Sequence, residues 1–205
     1  VGANVDAVRQ GVGSDSRSGS LFLLPGTGVG GSGIPKDIKA RKKSGQEVHH
    51  QFSIIESVID VNEQQKTVLF PKIKAYFNTQ LAGKKIAVWG LAFKPDTDDI
   101  RKAPALEMIH KLLDEKALIT VFDPEAMPNV KKELGNSIAY SKTKEEALKE
   151  ADALLICTEW DEFKTADTAI FKSRMHTPVV FDGRNIFNPK TMKKNQITYF
   201  SVGRP

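Results

Sequence analysis

Ile86-Ala87-Val88-Trp89-Gly90-Leu91-Ala92-Phe93-Lys94-Pro95-Asp96-Thr97 opens with four apolar residues that run into a glycine, the pattern of a short buried strand stopped by a turn. Downstream, Pro104 stands where a first-turn proline opens a helix over about 104–115. Leu118 to Phe122 is a second strand, ending at Asp123-Pro124. Ser137 to Tyr140 supplies a short third strand, Glu145 to Lys149 is helical, and Ala153 to Cys157 reads as a buried strand. Val179-Val180-Phe181 is a further strand before Asp182-Gly183-Arg184-Asn185, and Ile197 to Phe200 closes the sheet. Strands alternating with short helices predict an α/β fold with a parallel sheet from Gly83 onward.

That alternation gathers polar residues at the carboxyl ends of the strands. Lys94, Asp96 and Arg101 follow the first, Asp123 the second, Glu159 and Trp160 the fourth, and Asp182, Arg184 and Asn185 the fifth. Open α/β sheets bind ligands along that edge. The residue types there suit an anionic, nucleotide-like molecule. No Gly-x-Gly-x-x-Gly follows Gly90, so the half after Gly83 has a Rossmann rhythm without the dinucleotide turn, which counts against a bare NAD-binding domain.

Upstream the chain is different. Residues 1–45 are rich in Gly and Ser and poor in periodicity. Pro25-Gly26-Thr27-Gly28-Val29-Gly30-Gly31-Ser32-Gly33 packs five glycines into nine residues, a loop needing special backbone angles or close approach to a ligand. Residues 47–78 read as a helix whose apolar stripe of Ile55, Val58, Ile59, Val61 and Val68 faces a core or a partner helix. Glu63 and Lys66 fall on its polar side, and Pro71 kinks or interrupts it. The expected division is 1–80, active-site loop and helical region, and 81–205, the sheet domain.

The composition is ordinary for a globular chain of 205 residues: 40% hydrophobic, 27% charged and a net charge of +5. No apolar run approaches the ~18 residues of a membrane span. The opening Val1-Gly2-Ala3-Asn4 has neither a charged n-region nor an apolar h-region, so no signal peptide is expected, and a start without Met reads as a fragment of a longer, cytoplasmic protein. The basic run Lys36, Lys39, Arg41, Lys42, Lys43 has no zinc finger or aromatic RNA-binding motif beside it, so nucleic acid is not an expected partner.

The single cysteine, Cys157, excludes internal disulfides and multi-cysteine zinc sites and reads as a buried small hydrophobe. His49, His50, His110 and His176 lack the spacing of metal ligands, so no metal is expected. Phe93, Lys94 and Arg101 form a compact binding proposal: a stacking face, a point charge and a bidentate fork for phosphate. The competing reading of Arg101 is an ion pair with Asp98 or Asp99. Asp123 either contacts a ribose or caps the next helix. Arg184, placed by Gly183 just past a buried strand, reads as a ligand contact.

Four stretches together resemble the UDP-glucose/GDP-mannose dehydrogenase family. Gly31-Ser32-Gly33-Ile34-Pro35-Lys36-Asp37 is similar to the family's active-site signature G-G-S-C-F-P-K-D. Gly90 to Arg101 (Gly-Leu-Ala-Phe-Lys-Pro-Asp-Thr-Asp-Asp-Ile-Arg) is similar to a second signature. Thr158-Glu159-Trp160 and Phe181-Asp182-Gly183-Arg184-Asn185 resemble a third and a fourth. The order and spacing hold over nearly the whole chain, and the UDP-glucose branch is the nearest.

The resemblance implies a helical central segment followed by a Rossmann-like, parallel-sheet domain that binds the UDP part. It covers no counterpart of the family's NAD-binding domain, so that domain is expected to be missing. The family oxidises a sugar C6 alcohol to a carboxylate in two NAD-dependent steps, here UDP-glucose to UDP-glucuronate, through a cysteine thiohemiacetal and thioester. By position, Arg17 matches an arginine that reaches the sugar nucleotide across the dimer. The backbone from Phe22 and Leu23 through Gly28, Gly30 and Gly31 matches the substrate cradle. Lys36 matches a lysine that stabilises oxyanion charge, and Asp37 an aspartate that organises water and proton transfer. Phe93, Lys94 and Arg184 match substrate contacts, and Arg101 an arginine near the NAD phosphates. A homodimer through the 47–78 helix is implied.

The chain departs from the pattern where the chemistry is done. Gly33 occupies the cysteine position, Ser18 and Ile34 replace an apolar residue and a Phe, and Val29 stands where an aromatic is common. With no thiol at 33, and Cys157 in a strand of the other domain, the expectation is UDP-sugar binding without turnover. The alternatives are a non-catalytic nucleotide-sugar binding module and a dehydrogenase for UDP-N-acetylmannosamine or GDP-mannose.

Overall fold

A computed structural model describes residues 2–20 and 23–204, with the side chains of Ile34, Pro35, Lys39 and Gln46 excepted. Four helices come first: α1 (Val5–Gly13), α2 (Ile34–Glu47), α3 (Ser53–Gln65) and α4 (Phe70–Tyr76). Then come β1 (Lys85–Trp89), α5 (Pro104–Asp114), β2 (Leu118–Phe122), α6 (Met127–Leu134), β3 (Ala139–Tyr140), α7 (Lys144–Ala147) and β4 (Ala153–Ile156). The chain ends with α8 (Asp161–Lys164), α9 (Ala169–Arg174), β5 (Val179–Asp182), α10 (Pro189–Lys194) and β6 (Thr198–Ser201).

The strands form one parallel sheet in the order β3-β2-β1-β4-β5-β6. The chain runs outward one way from β1 and then returns to its other side with β4, so a topological switch point lies between β1 and β4. Both faces are covered, which is why β4 and β5 are buried at every residue and read as unbroken apolar runs. One face of α5 supplies Leu106, Met108, Ile109 and Leu112 to the core. Trp89 stacks on Phe163 with centroids 5.1 Å apart, and Phe181 on Phe200 at 4.9 Å.

The N-terminal part differs from expectation in two ways. Residues 5–13 and 34–47, read as aperiodic, are helical. Asn4 caps α1 by accepting from Asp6 N at 2.8 Å. The sequence of α2 is polar on nearly every face, which leaves no stripe to detect. The expected 47–78 helix is two helices: α3 starts only at Ser53, and Pro71 sits in the first turn of α4, where its missing N–H costs nothing. Neither α1 nor α3 has a buried residue; Val58 and Val61 are exposed, so the stripe of α3 does not face this chain's core. Lys66, placed on the polar side, is buried, with Nζ 2.9 Å from a Glu63 carboxylate oxygen. Among the described residues no helix is long and apolar enough to cross a membrane.

Asp123 is not the cap of α6, whose N-cap is Ala126 without a side-chain cap bond; it braces the turn that leads into that helix. It is wholly buried; Oδ1 accepts from Glu125 N (2.9 Å) and Ala126 N (2.7 Å), at the start of the segment leading into α6. Its Oδ2 accepts from Leu91 N (2.6 Å), Ala92 N (3.1 Å) and Trp160 Nε1 (3.1 Å). One carboxylate therefore joins the loops that follow β1, β2 and β4. Asp123→Ala orphans those buried donors, and each unsatisfied group costs about 1–3 kcal/mol. A urea titration of the variant is expected to show a loss of about 3 kcal/mol or more; a loss under about 1 kcal/mol contradicts this role.

Candidate functional site

The glycine-rich loop 25–33 lies between α3 and the carboxyl edge of the sheet. Two of its backbone anchors are on the sheet side. Thr27 N donates to Gly183 O at 3.1 Å, and Gly31 N donates to Arg101 O at 2.7 Å. Others are on α3. Gln65 Nε2 donates to Gly26 O at 2.7 Å, Asn62 Oδ1 accepts from Val29 N at 2.7 Å, and Asn62 Nδ2 donates to Val29 O at 3.0 Å.

The glycines make this approach possible. A Cβ on Gly30 would stand 2.6 Å from Lys102 O, and one on Gly31, whose φ is +86°, would stand 2.8 Å from the Phe93 ring. Phe93, expected as a stacking face, therefore packs under the loop. Lys94 Nζ lies 5.5 Å from the Phe93 centroid. Leu23 precedes the loop, half-buried, whereas Phe22 lies outside the described residues.

The two arginines of the edge are held by carboxylates. Arg184 makes a bidentate pair with Glu159, Nε to Oε2 at 2.5 Å and Nη2 to Oε1 at 2.6 Å, with both side chains largely buried. A Cβ on Gly26 would be 3.0 Å from Arg184 Nη1, so the loop lies directly against this pair. Asp182 orients the segment: it accepts from Arg184 N (2.9 Å), Phe187 N (3.1 Å) and the Tyr199 hydroxyl (2.7 Å). Burial pushes the Asp182 carboxyl above its usual range, and the Tyr199 hydroxyl bond opposes that. Burial likewise raises Tyr199, with the Asp182 charge adding to it. Arg101 realises the ion-pair reading, with Nη2 2.7 Å from Asp99 Oδ2, which holds the Asp99 carboxyl below its usual value.

Gly33 ends the loop, and its carbonyl accepts from Asp37 N at 3.0 Å, so it stands at the threshold of α2. It is exposed, and a Cβ built on it meets nothing within 4 Å. Lys36 and Asp37 are exposed in the first turn of α2. Beside them opens a cavity of about 530 Å³ whose walls include Ser32, Lys36, Arg101, Lys102, His110 and Glu133. Lys36, Lys94 and Lys102 pair with no carboxylate among the described residues. Both arginines are balanced by carboxylates and the cavity wall also carries Glu107 and Glu133, so the positive charge open to a ligand rests on these lysines.

The structure thus brings the loop, Phe93, Lys94, Lys36, Arg101 and Arg184 to one edge. It does not bring Arg17 to them: that side chain is 88% exposed and bound to Asp15 at 2.6 Å. Cys157 is buried, and burial pushes its thiol up to about 12, so it is no nucleophile at neutral pH. Asn62 and Gln65 were not among the expected site residues. Their spacing of three on a helix is the one signal the sequence carries for them, and it lies beside the apolar stripe of α3.

The chain is similar to known proteins over its whole length. Residues 87–189 match the UDP binding domain of the UDP-glucose/GDP-mannose dehydrogenase family, and residues 1–64 match its central domain. The chain is 42% identical over 205 residues to a UDP-glucose 6-dehydrogenase of Rhizobium meliloti (strain 1021), covering 100% of this chain and 47% of that protein. It is 40% identical to a UDP-glucose 6-dehydrogenase of Bacillus subtilis (strain 168), covering 100% and 46%. Among solved structures, a UDP-glucose dehydrogenase from Pyrobaculum islandicum superposes with a TM-score of 0.86 at 30% identity, covering 100% of this chain and 44% of that one. A UDP-D-ManNAc dehydrogenase from Pyrococcus horikoshii gives 0.80 at 25% identity, covering 99% and 45%. The chain spans about half the length of the curated relatives it matches.

Gly30→Ala forces a methyl group against backbone, and overpacking of this kind costs about 1–3 kcal/mol. Limited proteolysis is expected to cut the Gly30→Ala loop several times faster than the parent loop, whereas Gly33→Ala, which meets open space, leaves the rate unchanged. Equal rates for all three proteins would contradict the packing described.

Proposed function

The chain belongs to the UDP-glucose/GDP-mannose dehydrogenase family, and from that premise we propose that it is the sugar-nucleotide half of a UDP-glucose 6-dehydrogenase. The observation that carries this reading is the glycine loop lodged over Phe93 at the switch point of the sheet, with Lys94 and Arg184 beside it. The backbone of Leu23 through Gly31 would cradle the sugar, except for the amides of Thr27, Val29 and Gly31, which hold the loop on Gly183, Asn62 and Arg101. Phe93 and Lys94 would hold the nucleotide and its phosphates, and Arg184 would exchange part of its pairing with Glu159 for the ligand's charge. Arg17, free of this chain's own loop, would reach the site of a second copy.

Arg101 and Lys102 would meet a dinucleotide's phosphates in the cavity beside Lys36, with Glu107 and Glu133 on the same wall. NAD, when bound, would accept hydride from the sugar's C6 carbon. The turn after β1 carries no Gly-x-Gly-x-x-Gly, and the same spacing at Gly26 to Gly31 and Gly28 to Gly33 follows no strand among the described residues, which supports placing the main grip on NAD outside these residues. Lys36, in the first turn of α2, would stabilise negative charge developing on the C6 oxygen, and Asp37 would orient water. Gly33 offers no sulfur to capture an aldehyde, so we propose that these residues bind UDP-sugar without turnover. The same glycine favours the second reading, a nucleotide-sugar binding module without chemistry. The one free, buried cysteine fits a reducing, cytoplasmic setting.

A homodimer through α3 is part of the proposal, since Ile54, Val58 and Val61 are 82%, 47% and 63% exposed on one helix. Light scattering is expected to give twice the 22.6 kDa chain mass, and Val61→Asp to halve it. A monomeric parent at high concentration would contradict it.

Ligand choice is tested by thermal shift with UDP-glucose, UDP-glucuronate, UDP-N-acetylmannosamine, GDP-mannose and NAD. At ~100 times its dissociation constant a ligand adds about 2.7 kcal/mol. At roughly 2–4 °C per kcal/mol the expected rise with UDP-glucose is about 5–10 °C. A rise only with another sugar nucleotide would reassign the substrate, and no rise with any would overturn the binding proposal.

A further inference from the structure

We infer that Asn62 and Gln65 are positioning residues that hold the glycine loop in its ligand-ready shape; the link to ligand rests on the functional reading above, whereas the clamp itself does not. The Asn62 carboxamide bonds both the N–H and the C=O of Val29, at 2.7 and 3.0 Å. A side-chain amide that engages both groups of one residue fixes how that residue's backbone faces the helix. Gln65, one turn on, takes Gly26 O at 2.7 Å. Between these bonds Gly28, with φ +80°, passes so close to the helix that a Cβ there would meet Asn62 Oδ1 at 3.0 Å and Lys66 Cγ at 3.5 Å. The covering loop is also what leaves the long Lys66 side chain only 2% exposed.

The anchors alternate along the loop. Residues 26 and 29 are tied to α3, while residues 27 and 31 are tied to the loops after β5 and β1. The loop thus bridges two walls, and the wall made by α3 sets its distance from the sheet edge. Removing the Asn62 bonds leaves the sheet-side anchors in place, so the fold survives while the loop loses its fixed height over Phe93.

Two readouts test this in the 205-residue chain. The first needs no ligand: Gly33→Cys, where a Cβ meets open space, is spin-labelled, and buried Cys157 does not compete. Adding Asn62→Ala is expected to raise label mobility severalfold with little change in melting temperature. Asn62→Asp keeps the acceptor for Val29 N–H and loses the donor to Val29 C=O, so it falls between. Gln65→Met, similar in shape, gives a smaller rise and serves if Asn62→Ala fails to fold. Unchanged label spectra in all three overturn the clamp. The second readout compares affinities: Asn62→Ala is expected to weaken UDP-glucose about tenfold and UDP less than twofold, with Asn62→Asp recovering part of the loss. Equal weakening of both ligands, or of neither, overturns the positioning role. If the parent chain binds no UDP-glucose while the label spectra change as expected, the clamp stands and the functional reading falls.

Discussion

Where Gly30, Gly31 and Gly183 stand there is no space for a methyl group. A Cβ at Gly183 would lie 2.7 Å from Ile156 O and 2.8 Å from Thr27, and the other two run into Lys102 and Phe93. Across the seam between the helical part and the sheet, Gly30 thus lies against the Lys102 backbone, Gly31 against the Phe93 ring and Gly183 against the Thr27 side chain. Close approach lets main-chain amides bond across it, as Thr27 and Gly31 do. It also buries Thr27 fully, with its hydroxyl left without a partner among the described residues. The arrangement of charged groups around the loop follows from this contact.

The sheet edge that receives the loop is made rigid by buried carboxylates. Asp123 fixes the turns after β1, β2 and β4, and Asp182 fixes the turn after β5. Thr158 adds a bond from Oγ1 to Ala92 O at 2.6 Å. In these turns Asp96, Lys102 and Asn185 have φ near +55° to +60°, a left-handed conformation that Asp and Asn adopt more readily than other L residues.

The sheet was legible because its strands are covered on both faces and so are written as apolar runs, such as Ala153 to Ile156. The edge was legible too, since a parallel sheet places every post-strand turn on one side. What the residues did not disclose was pairing. Arg101 and Asp99 are two apart, yet Arg184 and Glu159 are twenty-five apart, and only the fold brings those together. Helix α2 escaped detection because its residues bury no stripe, and α3 was drawn too long because residues 47–52 carry no strong breaker beyond the turn at His49, whose φ is +53°. Asn62 and Gln65 are ordinary surface polar residues until the loop is laid across them.

Gly33 separates shape from chemistry. The seat, the cationic groups and the helix threshold are in place around a position with room for a side chain and none present. On the function proposed above, loop and sheet edge would form one seat for a sugar nucleotide. Hydrogen exchange of the chain with and without UDP-glucose tests it most directly. The account predicts ligand-dependent protection in three separate stretches, the loop at 26–31, the turn at 91–102 and the turn at 183–185, with the distal strand ends unchanged. Protection confined to one stretch, or absent from the loop, would contradict it.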